Sequence, residues 1–396
     1  MSLTRSSLLG LALTFLPLAA ADDHPVVSES VCNCFLTNTS ENYFTNHMFW
    51  DFRNLGQYAG VPDIIDDYNK SITAPPTSAY FTSDAWTSIW GVQNWNNSGR
   101  IGKEGNDATV QMVNSNNNVY IEKNTDENAA SDTFLSFRTA RLKNFQTSAE
   151  METHSSGFHF VSVRMLSRTL GDPGACTALF TYREADKYAD VQEADIEVLT
   201  KDPDNKIQYT NQPSFDGSGN TIDQSTQNGT MPKGTSWREW AVHRLDWDAK
   251  QSTWLVDGHK VSDIQFQVPR DPSRVMVNSW SDGGSWSGVM EVGGSAVLQI
   301  QWIEMVFNTT DSVTTTDSKR DISNHRHGLG PQGKLARRDG DEKCQVVCSI
   351  DSASNIGEIV MLHNGSAPGL LLGEARTTAF WVPVLLMSAM FLRILY

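Results

Sequence analysis

Between residues 44 and 308, apolar and polar positions alternate in short runs that are separated by turn residues. Alternation with a period of two places every second side chain on the same face of an extended strand. Segments with helical periodicity are scarce, and many short strands at this spacing predict an all-β sandwich or barrel. The predicted strands are residues 109–113, 119–123, 133–141, 148–154, 158–170, 175–182, 191–200, 206–212, 239–247, 253–256, 274–280 and 296–307.

The N-terminal segment has the order of a secretory signal peptide. Arg5 precedes an apolar run from Leu8 to Leu18, and small residues from Ala19 to Ala21 follow it directly. A basic start, an apolar centre and a small-residue site predict cleavage after Ala21. We therefore expect residues 1–21 to be removed and residues 22–310 to form one large domain.

The C-terminal part divides into three predicted segments. Residues 311–343 are poor in apolar side chains, which predicts a disordered linker, and residues 344–364 form a short segment that contains cysteines. Residues 365–396 combine small residues, a spacer and an apolar tail at 379–392, which is shorter than the roughly 20 residues of a membrane span. This pattern predicts a glycosylphosphatidylinositol anchor signal, with a retained single span as the alternative. Both interpretations place the body of the protein outside the cell.

The net charge of the chain limits the classes of partner that we expect it to bind. The formal net charge is -15 and no long basic run is present, which argues against nucleic acid and anionic membrane surfaces as partners. A neutral polysaccharide suits this charge better. The histidines show no metal-ligand spacing, so we expect neither a metal nor another cofactor.

Five cysteines indicate an oxidising compartment with one unpaired thiol. Cys176 lies in an apolar run, and we expect it to be a buried free thiol. The close pairs Cys32/Cys34 and Cys344/Cys348 flank the body, and we expect them to bridge to each other, in either of the two pairings.

The strongest chemical signal is the run Glu193-Ala194-Asp195-Ile196-Glu197. Alternation puts its three carboxyl groups on one strand face, where burial and mutual repulsion are unfavourable unless one group holds a proton. Hydrolysis of a glycosidic bond needs two carboxyl groups, one as acid and one as nucleophile or base. This run therefore favours a glycosidase over a solvated strand face.

Several ordered blocks around this run resemble glycoside hydrolase family 16, in particular its secreted, GPI-anchored fungal type. They are Leu179-Phe180-Thr181-Tyr182, Leu245-Asp246-Trp247, Trp254-Leu255-Val256-Asp257-Gly258, Val277-Asn278-Ser279-Trp280 and Gly284-Ser285-Trp286-Ser287-Gly288, with a closing strand around 302–307. The resemblance covers residues 42–310 and implies a concanavalin A-like β-jelly roll.

The resemblance also implies roles for individual residues. Glu193 would be the nucleophile, Glu197 the general acid and base, and Asp195 the assisting carboxylate. Substrate-binding roles are implied for Asn278, which would bond hydroxyls, and Trp280, which would stack on a sugar ring. Weaker cleft candidates are Trp286, Gln208, Asn211 and Glu150.

The activity that the resemblance implies is retaining, endo-acting hydrolysis of extracellular β-1,3 or β-1,3/1,4 glucan. We expect a monomer, held at the membrane through the C-terminal lipid anchor that the tail pattern predicts. Two alternatives stay open: a cell-wall transglycosylase that cross-links glucan or chitin and glucan, and a carbohydrate-binding lectin. Val191 and Gln192 depart from residues common in the family just before the first Glu. The linkage preference therefore does not carry over.

Overall fold

The computed structural model describes residues 24–40, 42–103, 106–216, 218–310 and 344–365. The predicted signal peptide at 1–21, the predicted linker at 311–343 and residues 366–396 of the predicted anchor signal lie outside the described residues. Across the described ranges, the helices are too short or too polar to traverse a bilayer.

The described part of the chain is built almost entirely of strands, which confirms the all-β prediction. Its two short α-helices are α1 (Tyr68–Ile72) and α2 (Asp84–Thr87). The strands are β1 (Val26–Val27), β2 (Cys34–Leu36), β3 (Asn46–Asp51), β4 (Trp90–Val92), β5 (Met112–Asn114), β6 (Val119–Lys123), β7 (Thr133–Arg141), β8 (Gln146–Thr153), β9 (Phe158–Gly171), β10 (Cys176–Arg183), β11 (Gln192–Leu199), β12 (Lys206–Gln212), β13 (Thr226–Thr230), β14 (Ala241–Trp247), β15 (Ser252–Val256), β16 (His259–Ile264), β17 (Arg274–Trp280), β18 (Ser295–Thr309), β19 (Val346–Ser349) and β20 (Ile359–Asn364).

The strands form two layers packed face to face, as in a jelly roll. The inner layer runs in the order β13-β12-β11-β10-β17-β8, with β4 on the far edge of β8. The outer layer runs β6-β7-β18-β9-β14-β15-β16, with β3 along the second half of β18. Strands β7 and β8 pair and join the layers, so both sheets belong to one continuous hydrogen-bonded structure.

One apolar core fills the space between the layers. In β11 the residues between the acidic positions, Ala194, Ile196 and Val198, point into this core. They meet side chains of the outer layer such as Leu245 and Ile300. Alternate residues of a strand face opposite sides of the sheet. Because Ala194, Ile196 and Val198 face the core, the three acids of β11 face the other side of the inner layer, away from the core.

Several tryptophans lie in the interior. Trp247, Trp254 and Trp302 are each at most 1 % exposed. Trp90 is 0 % exposed and also belongs to the core.

A small separate sheet joins the two ends of the described chain. Its order is β1-β20-β19-β2, and we call it the terminal sheet. The disulfides Cys32–Cys348 and Cys34–Cys344 tie it together, which confirms bridging between the two close pairs and settles the pairing. Cys176 is free and buried, as expected.

The terminal sheet covers the outside of the outer layer. Phe35 and Ile359 from this sheet pack with Val306 of β18 and Phe44 in a second apolar cluster. The outward side of β18 is therefore buried, although the sandwich core lies on its other side.

Candidate active site

The outward face of the inner sheet forms the floor of an open cleft of about 770 Å³. Strands β11, β10, β17 and β8 lie side by side there and pair without a register shift. Residues directly opposite each other in such a ladder share a face. The acidic positions of β11 therefore continue as rows of cleft-facing side chains across the neighbouring strands.

Each acidic residue lies in its own row. The first row is Glu193, Tyr182 and Arg274; the second is Asp195, Phe180, Met276 and Glu152; the third is Glu197, Ala178, Asn278 and Glu150. All of these side chains line the cleft. The sheet thus gathers five carboxyl groups around one depression, three of them on a single strand.

Asp195 is the most deeply buried of the three acids on β11, at 2 % exposed. Burial raises its pKa well above the usual range, and the neighbouring charges of Glu193 and Glu197 raise it further. These effects favour the neutral form of Asp195, which donates a hydrogen bond to Glu193.

Glu193 is half-buried at the cleft floor. Burial raises the pKa of Glu193 to about 8, the hydrogen bond from Asp195 acts in the opposite direction, and the charge of Glu197 adds to the increase. The hydrogen bond from a neutral acid therefore favours the charged form of Glu193 and holds it in place, against the burial that favours its neutral form. This arrangement suits a group that must attack as an anion.

Glu197 has two donors on the same oxygen. Trp286 Nε1 donates to Oε1 at 3.0 Å, and the Cys176 thiol donates to Oε1 at 3.3 Å. Burial raises the pKa of Glu197, and these two hydrogen bonds lower it in part. The balance favours a carboxyl group that keeps a proton longer than an exposed glutamate does.

Glu150 provides a further acid in the third row. It is 6 % exposed, Trp95 Nε1 donates to its Oε1 at 2.7 Å, and Asn278 also hydrogen-bonds to it. Burial raises the pKa of Glu150 to about 7, against these two hydrogen bonds. Glu150 is consequently shared between its neutral and charged forms near neutral pH.

The structure brings most of the predicted binding residues to the cleft. Asn278, Trp280 and Glu150 line it. Trp286 lies at its rim beside Glu197 and is 37 % exposed.

The other two predicted binding residues have different environments. Gln208 is opposite Glu197 in β12, but its amide donates to Asp202 and it is absent from the cleft lining. Asn211 is opposite the core residue Ala194 and its amide donates to the Phe266 carbonyl. Its side chain therefore faces away from the acids, and Asn211 is no longer a cleft candidate.

Some cleft residues were not singled out from the sequence. Tyr182, Arg274 and Glu152 line the cleft, and so does Trp95. Strand alternation was the available signal for the first three. Each of these residues lies an even number of positions from a cleft-facing residue of its own strand. Tyr182 is on the same face of β10 as the other floor residues, Arg274 is on the same face of β17 as Asn278 and Trp280, and Glu152 is on the same face of β8 as Glu150.

A family model described as "Glycosyl hydrolases family 16" matches residues 106–304, half of the chain. A protein named beta-glucanase from Paenibacillus polymyxa is 24 % identical over 176 residues, which cover 44 % of this chain and 70 % of that protein. A beta-glucanase from Bacillus licheniformis is 27 % identical over 159 residues, which cover 39 % of this chain and 60 % of that protein.

Solved structures are similar at lower identity. A lichenase from a mouse hindgut metagenome is 17 % identical, with a TM-score of 0.42, covering 66 % of this chain and 98 % of that one. The laminarinase catalytic domain from Thermotoga maritima MSB8 is 18 % identical, with a TM-score of 0.43, covering 57 % and 93 %. The matched family region contains all of β11 with its three acids, and, since that match extends over half the chain, the protein belongs to the glycosyl hydrolases of family 16.

Proposed function

We propose that this protein is an endo-acting β-glucanase that cleaves β-1,3 or β-1,3/1,4 glucan with retention of configuration. The observation that carries the proposal is the row-by-row placement of Glu193, Asp195 and Glu197 on one cleft floor, with a neutral Asp195 donating to Glu193. This arrangement places two carboxyl groups, Glu193 and Glu197, on one face to serve as nucleophile and acid, as a retaining glycosidase requires.

In the proposed first step, the Glu193 carboxylate attacks the anomeric carbon and forms a glycosyl ester. The bond to the leaving oxygen breaks as Glu197 gives that oxygen its proton. In the second step, Glu197 takes a proton from water, the resulting hydroxide attacks the same carbon, and Glu193 is released as a carboxylate. Asp195 stays protonated and holds Glu193 through both steps.

The choice of β-glucan rests on the family, on the beta-glucanases to which the chain is similar, and on the chemistry of the cleft. The cleft is open and combines carboxyl, amide and aromatic side chains, which suits a polymer bound across it rather than a chain end. Indole faces such as Trp280 pack on the apolar side of a pyranose, while Asn278 bonds hydroxyl groups.

One departure noted in the sequence has a structural use. Gln192 is 5 % exposed, its amide donates to Asp271, and its carbonyl accepts from the backbone amides of Arg270 and Asp271. It anchors the loop before β17 and does not contact the cleft. Replacing an acid at this position therefore leaves the proposed machinery unchanged.

The direct test is to incubate the purified protein with laminarin, mixed-linkage glucan, xyloglucan and chitin oligomers, beside Glu193→Gln. We expect internal cleavage of one of the first two and no turnover by the variant. Proton NMR at early times should show the β-anomer of the new reducing end. Turnover by Glu193→Gln, or an α-anomer as the first product, would contradict the proposal.

The same assay separates hydrolysis from transfer. If oligosaccharide acceptors gave products longer than the starting chain at early times, the protein would be a transglycosylase that uses the same intermediate. Binding of glucan without any turnover would identify a lectin.

We also propose that the enzyme acts outside the cell, at the wall or the outer face of the plasma membrane. The signal-peptide pattern, the anchor pattern and two disulfides support this location. Sequencing of the mature N-terminus should give Asp22 as its first residue. Phosphatidylinositol-specific phospholipase C should release the protein from membranes.

A further inference from the structure

Cys176 lies at the beginning of β10, at one end of the cleft floor. It is opposite Leu199 in β11 and opposite Trp280 in β17. It shares the cleft-facing side of β10 with Ala178 and is 0 % exposed. The thiol therefore lies between the two strands that carry the proposed acid and the proposed sugar-stacking indole.

Hydrogen bonds connect these three side chains. The Cys176 thiol donates to Glu197 Oε1 at 3.3 Å, and Trp280 hydrogen-bonds to the thiol. Burial raises the pKa of Cys176 well above its ordinary value, and the charge of Glu197 raises it further. The sulfur is therefore protonated throughout the working pH range, which makes it a donor and a poor nucleophile.

The two carboxyl oxygens of Glu197 differ in their partners, because a second donor also binds Oε1. Trp286 Nε1 reaches the same Oε1 at 3.0 Å. A carboxyl oxygen has two lone pairs, and on Oε1 both are occupied by donors. The exchangeable proton of Glu197 is consequently carried by Oε2.

We infer that Cys176 is a positioning residue for the proposed acid and base Glu197. It holds Oε1 so that Oε2 presents the proton, and it fixes the indole of Trp280 relative to that proton. This inference rests on the proposed function and adds to it a residue that works through Glu197 without touching substrate.

The charged and polar groups around Glu197 determine whether loss of the Cys176 donor raises or lowers the pKa of Glu197. On its own strand are Asp195, whose neutral form burial favours, and Glu193, whose pKa the charge of Glu197 raises. From β12 comes the neutral amide of Gln208, which is bound to Asp202. The side chain of Lys201 bonds the Ser285 carbonyl next to Trp286.

From β10 and β17, the groups nearest Glu197 are Cys176, Ala178 and Asn278, which carry no charge. Glu150 lies in the same row of the cleft floor as Glu197, and Asp282 also lines the cleft. Removing the thiol takes away a donor that favours ionised Glu197. The cation Lys201 is bonded to the Ser285 carbonyl, so we expect the pKa of Glu197 to rise.

The test compares Cys176→Ala and Cys176→Ser with the packing control Leu199→Val. Leu199 is 3 % exposed in the same apolar cluster, and trimming it to Val loosens the packing around the sulfur but keeps the thiol. Two readouts are measured across pH: kcat/KM on β-glucan, and the infrared absorption of protonated carboxyl groups in the free enzyme. The infrared titration needs no activity, so failure of the proposed substrate is distinguishable from failure of this inference.

In Cys176→Ala we expect the alkaline limb of kcat/KM to move up by about 0.5 to 1 pH unit, with a loss of about 3- to 10-fold at the wild-type optimum. The infrared titration should shift in the same direction. Cys176→Ser, which keeps a donor, should restore both readouts to within about 2-fold and about 0.3 unit of wild type. Leu199→Val should leave the alkaline limb in place.

The inference is overturned if Cys176→Ala and wild type have superimposable pH profiles. It is equally overturned if Leu199→Val shifts the limb as far as Cys176→Ala does, because packing alone would then explain the change. If the alanine variant does not fold, the serine variant decides: a shift of its limb by more than about 0.5 unit contradicts a donor role.

Discussion

His47 Nε2 lies 2.9 Å from Glu304 Oε1 beneath the terminal sheet, and this carboxyl group is 0 % exposed. Arg164 binds the other oxygen of Glu304 through Nε at 2.9 Å and Nη2 at 2.5 Å. Glu29, beside the terminal sheet, faces His47 Nδ1 at 3.5 Å. The outer layer therefore carries an ionic cluster on its outward face, which the joined chain ends shield from water.

The first prediction concerns stability against pH. Burial alone would lower the pKa of His47, but Glu29 and Glu304 together raise it from 6.5 to about 9. A raised pKa stabilises the folded state fully below pH 6.5, and this contribution is lost as the pH rises through about 9. The loss should amount to about 3 kcal/mol in the free energy of unfolding, measured by denaturant titration between these limits.

His47→Gln is the control, since the uncharged amide cannot titrate. It should be less stable at pH 6 than wild type and should lose less stability between neutral and alkaline pH. An unchanged slope in the variant would show that other groups control the alkaline loss.

The second prediction concerns the two disulfides. Both close loops of more than 300 residues, with separations of 316 and 310. Because either bridge alone still closes a loop of this length, removing one should cost toward the lower end of roughly 2 to 5 kcal/mol, and removing both should cost more. Cys32→Ala/Cys348→Ala should cost more than Cys34→Ala/Cys344→Ala, because both sulfurs of the first bridge belong to the second apolar cluster. Thermal unfolding of the two double variants measures the difference, and equal losses would argue against this packing contribution.

Much of the sandwich could be predicted from alternation alone. The runs at 119–123, 133–141, 206–212 and 274–280 coincide with β6, β7, β12 and β17. Strands β13 and β16 were missed because edge strands need no apolar face on the solvent side, and β13 reads Thr-Gln-Asn-Gly-Thr. Pattern recognition depends on burial, and these strands have little of it.

The candidate site could likewise be predicted only in part from the sequence. Alternation within β11 predicted that the three acids share one face, and this prediction does not depend on knowing the neighbouring strands. Gln208 and Asn211 are three residues apart in β12, so they face opposite sides of the sheet, and only the register with β11 shows that Gln208 is the one on the side of the acids. The contact between Cys176 and Glu197 likewise depends on the pairing of two strands, and the ionic cluster under the terminal sheet depends on residues about 250 positions apart, such as His47 and Glu304, which differ by 257.

The third prediction separates the role of Glu197 from that of Glu193. Glu197→Gln should lower kcat/KM on β-glucan by about 10²- to 10⁴-fold, because the leaving oxygen of a sugar needs a proton. Aryl glucosides with acidic phenols leave without such help, so the variant should lose much less on them. Steady-state kinetics on the two substrates measure this contrast. A loss of the same size on both would mean that Glu197 is not the acid.

The fourth prediction tests the protonation state of Asp195. Burial favours the neutral form of Asp195. The asparagine of Asp195→Asn is also uncharged and keeps a donor toward Glu193, whereas Asp195→Ala removes the donor. We expect the asparagine variant to stay within about 10-fold of wild type in kcat/KM and the alanine variant to lose about 10²-fold or more.

The pH profiles of the two variants should differ in the same sense. The bond from Asp195 lowers the pKa of Glu193, so its loss in Asp195→Ala raises that pKa and moves the acidic limb of kcat/KM to higher pH. In Asp195→Asn the limb should stay near its wild-type position, which already lies above the ordinary glutamate value of 4.5 because burial raises the pKa of Glu193. If Asp195 acted instead as a carboxylate, both variants would lose the same charge and would be equally impaired. Kinetics from pH 4 to 10 on all three proteins, with circular dichroism to verify folding, therefore distinguish a neutral donor from a charged one.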